Sequence, residues 1–433
     1  MHLYRKLLIL LMTLATALLS NGQQPAAYII PIDSLKLTLD SAEANFLRNN
    51  FLLLAQKYNV DAARALVVQA KLYPNPGFNF SSTIYNQDAK KIFPAPFSGA
   101  GEVNSGISQL IILAGKRNKQ VQLAQANVQL NEFQFFDLIR TLKYTLRIDF
   151  FNIYYLQQSA KVYDAEIKAL NQIVTAFGEQ RSKGYIAEKE VVRIRALLYS
   201  FKSEYNDLLN QVKDAESELR QVMQVKPSAY IIPVTDSEVI RHLDPLKYQL
   251  ATLLDTAYSH RTDLLIAKEN TAISQLNYKY QKALAVPDIT ASLGYDQQGS
   301  YVKNLSMAGI AIDLPFFNRN QGNIKAAKHG INAATAAQKS VEASVEENVY
   351  RALQKALDQD RLLKDIDPTF SNDFDRLMKE VLANYQKRNI SILEFLDFYD
   401  SYKQNVLQVN AIQFNRVSAF EDINFYTANN FFN

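Results

Sequence analysis

The chain has 433 residues, with 47 lysines and arginines against 43 aspartates and glutamates, four histidines and no cysteine. Charge this evenly balanced excludes binding to nucleic acid or an anionic surface by net attraction, and the lack of cysteine excludes disulfides, thiolate metal sites, cysteine nucleophiles and an N-terminal cysteine lipid anchor. No phosphate-binding glycine loop, nucleophile elbow or paired-carboxylate signature is present, and no two histidines stand at metal-ligand spacing, so we expect no enzyme, no cofactor and no metal site.

Arg5 and Lys6 precede an apolar run over residues 7–19, followed by Ser20-Asn21-Gly22. This is the pattern of a secretory signal peptide over residues 1–22, too short to be a good membrane-spanning helix. Its removal leaves 45 basic against 43 acidic side chains.

The mature chain reads as one unit given twice, over residues 23–236 and 237–433. In the first copy a helical stretch (40–73) ends at Pro74-Asn75-Pro76. Phe78, Phe80 and Ile84 then alternate with Gly77, Asn79, Ser81 and Thr83, the period-two pattern of a half-buried strand. A second strand carries Val103, Ile107 and Ile111, which predicts a β-hairpin over about residues 77–113 with its loop at 87–100. From Lys116 to Phe177 there is neither glycine nor proline. That predicts a helix to about Ser182, roughly 100 Å long at 1.5 Å per residue. A turn at 183–187 and a returning helix to about Gln224 complete the copy, and residues 225–246, with three prolines, read as a linker.

The second copy repeats the order. A helix over 250–286 ends at Pro287, and a hairpin over about 288–314 follows, with Ile289, Ala291, Leu293 and Tyr295 on one strand and Ala308, Ile310, Ile312 and Leu314 on the other. A long helix then runs to about Lys387, interrupted by Pro368. A turn at 387–391 and a returning helix to about Phe420 close it. Phe78, Phe80, Tyr85 and Tyr295, with Tyr73, Phe316 and Phe317 near the strand ends, are placed for a membrane-interface girdle, whereas Phe133, Phe136, Phe150 and Tyr154 fall in helices as packing residues.

A hairpin with one apolar face inside a helical chain needs an apolar cover. That cover is either the chain's own helices, as in a small soluble sheet, or lipid. The secretory leader and the two-copy arrangement favour lipid, and since four strands cannot close a barrel alone, the membrane reading demands an oligomer. The sequence also resembles the TolC-type outer-membrane efflux proteins over essentially the whole mature chain. Its sharpest segments are Tyr73-Pro74-Asn75-Pro76, the run Gly-Ile-Ala-Ile-Asp-Leu-Pro-Phe-Phe-Asn-Arg-Asn-Gln-Gly-Asn-Ile-Lys-Ala-Ala over 309–327, and Asn389-Ile390-Ser391-Ile392-Leu393-Glu394. The long middle segment resembles the heavy-metal branch, the cobalt–zinc–cadmium and copper/silver exporters.

The resemblance implies a mainly α protein with membrane β-hairpins. It would be a homotrimer whose 12-stranded β-barrel, four strands per chain, sits in outer-membrane lipid and continues as an α-helical periplasmic barrel. It implies a passive duct for metal ions or small toxic compounds, served by a periplasmic membrane-fusion adaptor and a proton-driven inner-membrane pump. On the same resemblance Gly184, Tyr185, Ile186 and Ala187, with Arg388, Asn389, Ile390 and Ser391, form adaptor-docking tip turns, and Arg388 stands where the family has glycine. Glu394 and Asp397, three residues apart and so on one helix face, match the acidic periplasmic gate. The competing readings are a protein or peptide export duct of a type I secretion system and a periplasmic coiled-coil scaffold without a pore.

Overall fold

Caps decide where the upper helices stop. Thr38 and Ser41 cap each other reciprocally and open α1 (Leu39–Asn49), and Asn50 then ends it. The Asn50 carboxamide oxygen accepts from the N–H groups of Leu52 and Leu53 at 2.9 and 3.1 Å, starting α2 (Phe51–Lys71), while its nitrogen donates to the Val222 carbonyl at 2.8 Å. The computed structural model describes residues 33–95, 98–227, 229–235, 240, 242–298, 302–366, 370–387 and 389–432; the leader, Pro368 and Arg388 lie outside them. The second copy breaks at the matching place, Arg261, whose guanidinium binds Asp263 in a fork at 3.0 and 2.6 Å between α5 (Leu250–His260) and α6 (Thr262–Leu284). The single helices expected over 40–73 and 250–286 are therefore two helices each.

The first long helix, α3 (Lys116–Ser182), is unbroken for 67 residues, and α4 (Glu188–Met223) returns beside it. In the second copy α7 (Gln321–Lys364) stops before Pro368, and the path resumes as α8 (Phe370–Gln386) and returns as α9 (Ile392–Thr427). α9 runs past the expected end at Phe420 because Phe420, Ile423 and Thr427 are all buried and keep its last turns packed. Gly115 and Asn320 precede α3 and α7 at φ 64° and 58°, and Gln224 and Ala428 end α4 and α9 at φ 55° and 53°. The two copies thus share their backbone devices even where the residues differ.

The expected linker is not plain coil. Within it β6 (Ala229–Pro233) pairs in parallel with β1 (Asp33–Leu37), and Gln157 on α3 donates to the Ile231 carbonyl at 2.7 Å. The larger sheet has four antiparallel strands in the order β2 (Gly77–Ser82), β5 (Val103–Ile111), β7 (Ile289–Asp296) and β8 (Leu305–Ile312). A short ladder of β3 (Tyr85–Asn86) with β4 (Lys91–Ile92) tops the first hairpin. The helix layer repeats the sheet order: α2 packs on α3, α3 on α6, and α6 on α7. At the far end Phe177, Ile194, Phe201, Tyr385, Phe395 and Tyr399 share one core. Phe150 is fully buried, but Phe136, expected as a packing residue, is 55% exposed in the single chain.

Candidate functional site: channel sheet, tips and gate

Strand pairing sorts the sheet into two faces. Facing partners across the ladder lie on the same side, so the pairs Phe78–Ile107, Ile107–Leu293 and Ala291–Ile310 put a continuous apolar surface on one face. Phe78 and Ile310 are 73% and 74% exposed. The other face carries Asn79, Ser81, Ser108, Thr290 and Ser292, with Leu110, Leu305 and Met307 as its large apolar members. A sheet greasy on one side and small and polar on the other matches a barrel wall between lipid and water. At its root Lys116 reaches Asp288 at 2.7 Å, and the same carboxylate accepts the Leu113 N–H at 2.8 Å, tying the end of one hairpin to the start of the other. Arg117 lies over the Tyr73 ring at 3.8 Å and donates to the Lys71 carbonyl.

At the opposite end the first tip closes as a Schellman motif. Gly184 sits at φ +76°, its N–H donates to Arg181 O, and the Tyr185 N–H donates to Gln180 O, both at 2.9 Å. Tyr185 is exposed, Ile186 packs partly into the tip core, and Ala187 starts α4. In the second tip Asn389 N–H donates to Asn384 O at 2.9 Å, the counterpart of the Tyr185 bond, and Ile390 packs inward. Arg388 lies outside the described residues. The two turns are brought together: a cleft of about 350 Å³ between them is lined by Phe177, Tyr185, Arg193, Tyr385, Ile390 and Ser391.

Glu394 and Asp397 share the exposed side of α9, while Phe395 and Tyr399 fill the core behind. Glu394 also has a structural task. Its carboxylate accepts the Ser391 N–H at 2.8 Å and the Ser391 hydroxyl accepts the Glu394 N–H at 3.2 Å, a reciprocal N-terminal cap. Those bonds to Ser391 hold the Glu394 carboxyl below the usual carboxylate range, so it stays ionised. The spacing Ser-x-x-Glu was the signal for this cap in the sequence.

Sequence reasoning missed an ion network one turn further on. Lys403 is buried, its ammonium 2.8 Å from Glu204 and 3.0 Å from Asp400, and over the Phe201 ring at 4.5 Å. Burial raises the Glu204 carboxyl, but hydrogen bonds from Lys403, Ser200 and Tyr163 outweigh it and keep the group below its ordinary value. A lysine on the apolar stripe Phe395, Tyr399, Lys403 was the available clue. Among the described residues no three His, Cys, Asp or Glu side chains gather as a metal site, and no helix is long and apolar enough to cross a membrane.

A sheet of this kind rooted on long helices gives the chain the fold of the solved TolC-like outer-membrane channels. The solved structure of CusC has a TM-score of 0.72 at 16% identity, covering 90% of this chain and 91% of that one. For the outer-membrane protein VceC of Vibrio cholerae the TM-score is 0.70 at 15% identity, covering 90% and 96%. Residues 44–223 match the family model for outer membrane efflux protein. The chain is 22% identical over 292 residues to the cobalt-zinc-cadmium resistance protein CzcC of Cupriavidus metallidurans, 67% of this chain, and it spans 66% of that relative's length.

Proposed function

We propose that this chain is the outer-membrane channel of a tripartite efflux system, a passive duct across the periplasm for metal ions or small toxic compounds. One observation carries the reading. The four-stranded sheet has an uncovered apolar face and two open edges, and it is joined to long helices, of which α3 is roughly 100 Å long. In lipid each unpaired backbone group on an open edge costs several kcal/mol, so the edges must be closed by other copies. Three copies close twelve strands, within the size range of known membrane barrels. The name of the CzcC relative supports metal ions as cargo.

The tips supply the inner end. The cleft between the two turns offers exposed Tyr185 beside Arg193 to a periplasmic adaptor, which couples the duct to a proton-driven inner-membrane pump. Glu394 and Asp397, repeated around the ring axis, present carboxylates that favour cations at the constriction. Outer-membrane fractionation and a heat-sensitive oligomer on denaturing gels test the channel. A deletion strain tests the cargo, with sensitivity to cobalt, zinc and cadmium expected. A strain that stays resistant to these metals but becomes sensitive to dyes and detergents overturns the metal assignment. In bilayer recordings the E394Q/D397N double variant should lose most of its preference for cations over anions; unchanged selectivity overturns the gate.

A further inference from the structure

The even charge balance of the whole chain hides a local excess. Four short segments join the strands to their helices at one end of the sheet: residues 71–76 before β2, 112–119 after β5, 282–288 before β7 and 313–319 after β8. They carry Lys71, Lys116, Arg117, Lys119, Lys282 and Arg319 against Asp288 and Asp313. The chain has 47 basic and 43 acidic side chains, so outside these segments the count is even at 41 each. The whole positive excess therefore lies at the root of the sheet. The far end, residues 83–102 and 296–304, is neutral, with Lys90, Lys91 and Lys303 against Asp88, Glu102 and Asp296.

Folding leaves most of this charge uncompensated. Lys116 is buried against Asp288 at 2.7 Å, but the other five cations have no carboxylate within 4 Å among the described residues. The Arg117 guanidinium lies over the Tyr73 ring at 3.8 Å and one of its nitrogens donates to the Lys71 carbonyl at 2.8 Å. Those two contacts fix the group, and its other N–H donors have no acceptor among the described residues. Lys71 and Lys282 each stand five residues before the proline that opens a strand, Pro76 and Pro287, so both repeats put a cation at this level. Bare apolar groups accompany the cations. Tyr73 is exposed, and beyond Ile312 on the apolar face of β8 the chain exposes Leu314 and Phe316, with Phe317 95% exposed.

A strand of eight residues spans about 26 Å, the height of the apolar band on a membrane barrel. With the apolar face of the sheet in lipid, rings at one end of that band sit at headgroup level, and cations beside them stand among phosphates. The helices leave from this same end, which makes the leaflet the periplasmic one.

We propose that the root of the sheet is a collar for anionic phospholipid of the periplasmic leaflet, with Lys71, Arg117, Lys282 and Arg319 on the phosphate-bearing headgroups and Tyr73, Phe316 and Phe317 at the boundary of the acyl chains. The inference rests on the membrane-channel reading and adds a lipid preference to it. A planar guanidinium offers two parallel donors to two phosphate oxygens, which suits Arg117 and Arg319 to a phosphodiester. The cations lie at one depth across all four junctions, continuous with the apolar face, and the far end has no such excess. That distribution identifies lipid of one leaflet as the occupant.

The test uses the full-length channel reconstituted in phosphatidylcholine vesicles, with spin-labelled phosphatidylglycerol or phosphatidylcholine as the probe. Each basic group at an anionic surface contributes about fivefold in affinity, so the native channel should hold phosphatidylglycerol at least about fivefold more strongly than phosphatidylcholine. R117Q/R319Q should lower that ratio at least about threefold, R117K/R319K should keep most of it, and K90Q/K91Q at the far end should leave it unchanged. A native channel without the preference, a preference that survives R117Q/R319Q, or one lost equally in K90Q/K91Q overturns the collar. Loss of lipopolysaccharide binding in R117Q/R319Q, with phosphatidylglycerol still held, overturns it as well. Where R117Q/R319Q fails to fold, salt decides: about 1 M NaCl cuts the screening length to about 3 Å and should abolish the native preference, and a salt-insensitive preference overturns the collar. A chain that does not insert into the vesicles overturns the membrane reading itself, whereas an inserted, conducting channel with no lipid preference overturns the collar alone.

Discussion

The two tips show how one backbone was filled in two ways. Behind the first turn the core position is Val191; behind the second the matching position is Phe395, stacked on Tyr385 with ring centroids 4.3 Å apart. Where the second helix exposes Glu394 and Asp397, the first has Glu190 and Arg193 at the same steps. Repetition therefore fixed the path of the chain, while packing and charge at the tips diverged, and the acidic face belongs to the second repeat alone. The long helices differ as well: α3 is continuous, whereas its counterpart is divided between α7 and α8.

Substitutions at matched positions test how far the two tips differ. The largest effect is expected at Phe395→Ala, which removes a fully buried ring and should cost about 3–5 kcal/mol. Val191→Ala at the matching place should cost only about 1–2 kcal/mol. Denaturant unfolding of the two variants side by side checks the difference, and equal losses would show that the two tips share their core evenly.

Next comes Asp149 on α3, buried with one carboxylate oxygen unpartnered, where the second repeat has an exposed Gln354. Burial, helped by the charge of Glu218, pushes the Asp149 carboxyl up to about 7. The folded state then holds a proton that the unfolded chain releases near pH 4. Stability from this group falls as pH rises from about 4 to about 7, by at most about 4 kcal/mol in all. Asp149→Asn should flatten that slope, measured by thermal unfolding across this pH range. The smallest effect is Gly184→Ala: nothing lies within 4 Å of the added methyl, so only the left-handed backbone resists it, at about 1 kcal/mol. A cost of several kcal/mol by the same measurement would mean that the tip turn is packed rather than free.

Much of the fold was legible because it is written in local signals. Pro76 and Pro287 mark the strand starts, alternation marks both hairpins, and the glycine- and proline-free run marks α3. Other features left traces that pattern reading alone did not resolve. Asn50 and Arg261 break helices whose apolar pattern continues through them, since a cap depends on what the side chain finds to bind, here the Val222 carbonyl 172 residues away. β1 and β6 are short, and each needs the other to count as a strand. Glu394 was chosen for charge, but its cap with Ser391 comes from a four-residue spacing that was there to be read. Lys403 shows the reverse limit: its burial depends on Glu204, which lies on another helix.

The two hairpins with one apolar face each are settled by sequence alone, because side chains along a strand alternate whatever the strand pairs with. The order β2, β5, β7, β8, and hence which edges stay open, was decided only by the tertiary structure. β5 and β7 are separated by the rest of the first repeat and the opening helices of the second, and no local pattern reports a contact over that distance. That non-local pairing makes four strands a single wall with two free ends, and the free ends are what make the single chain an incomplete channel.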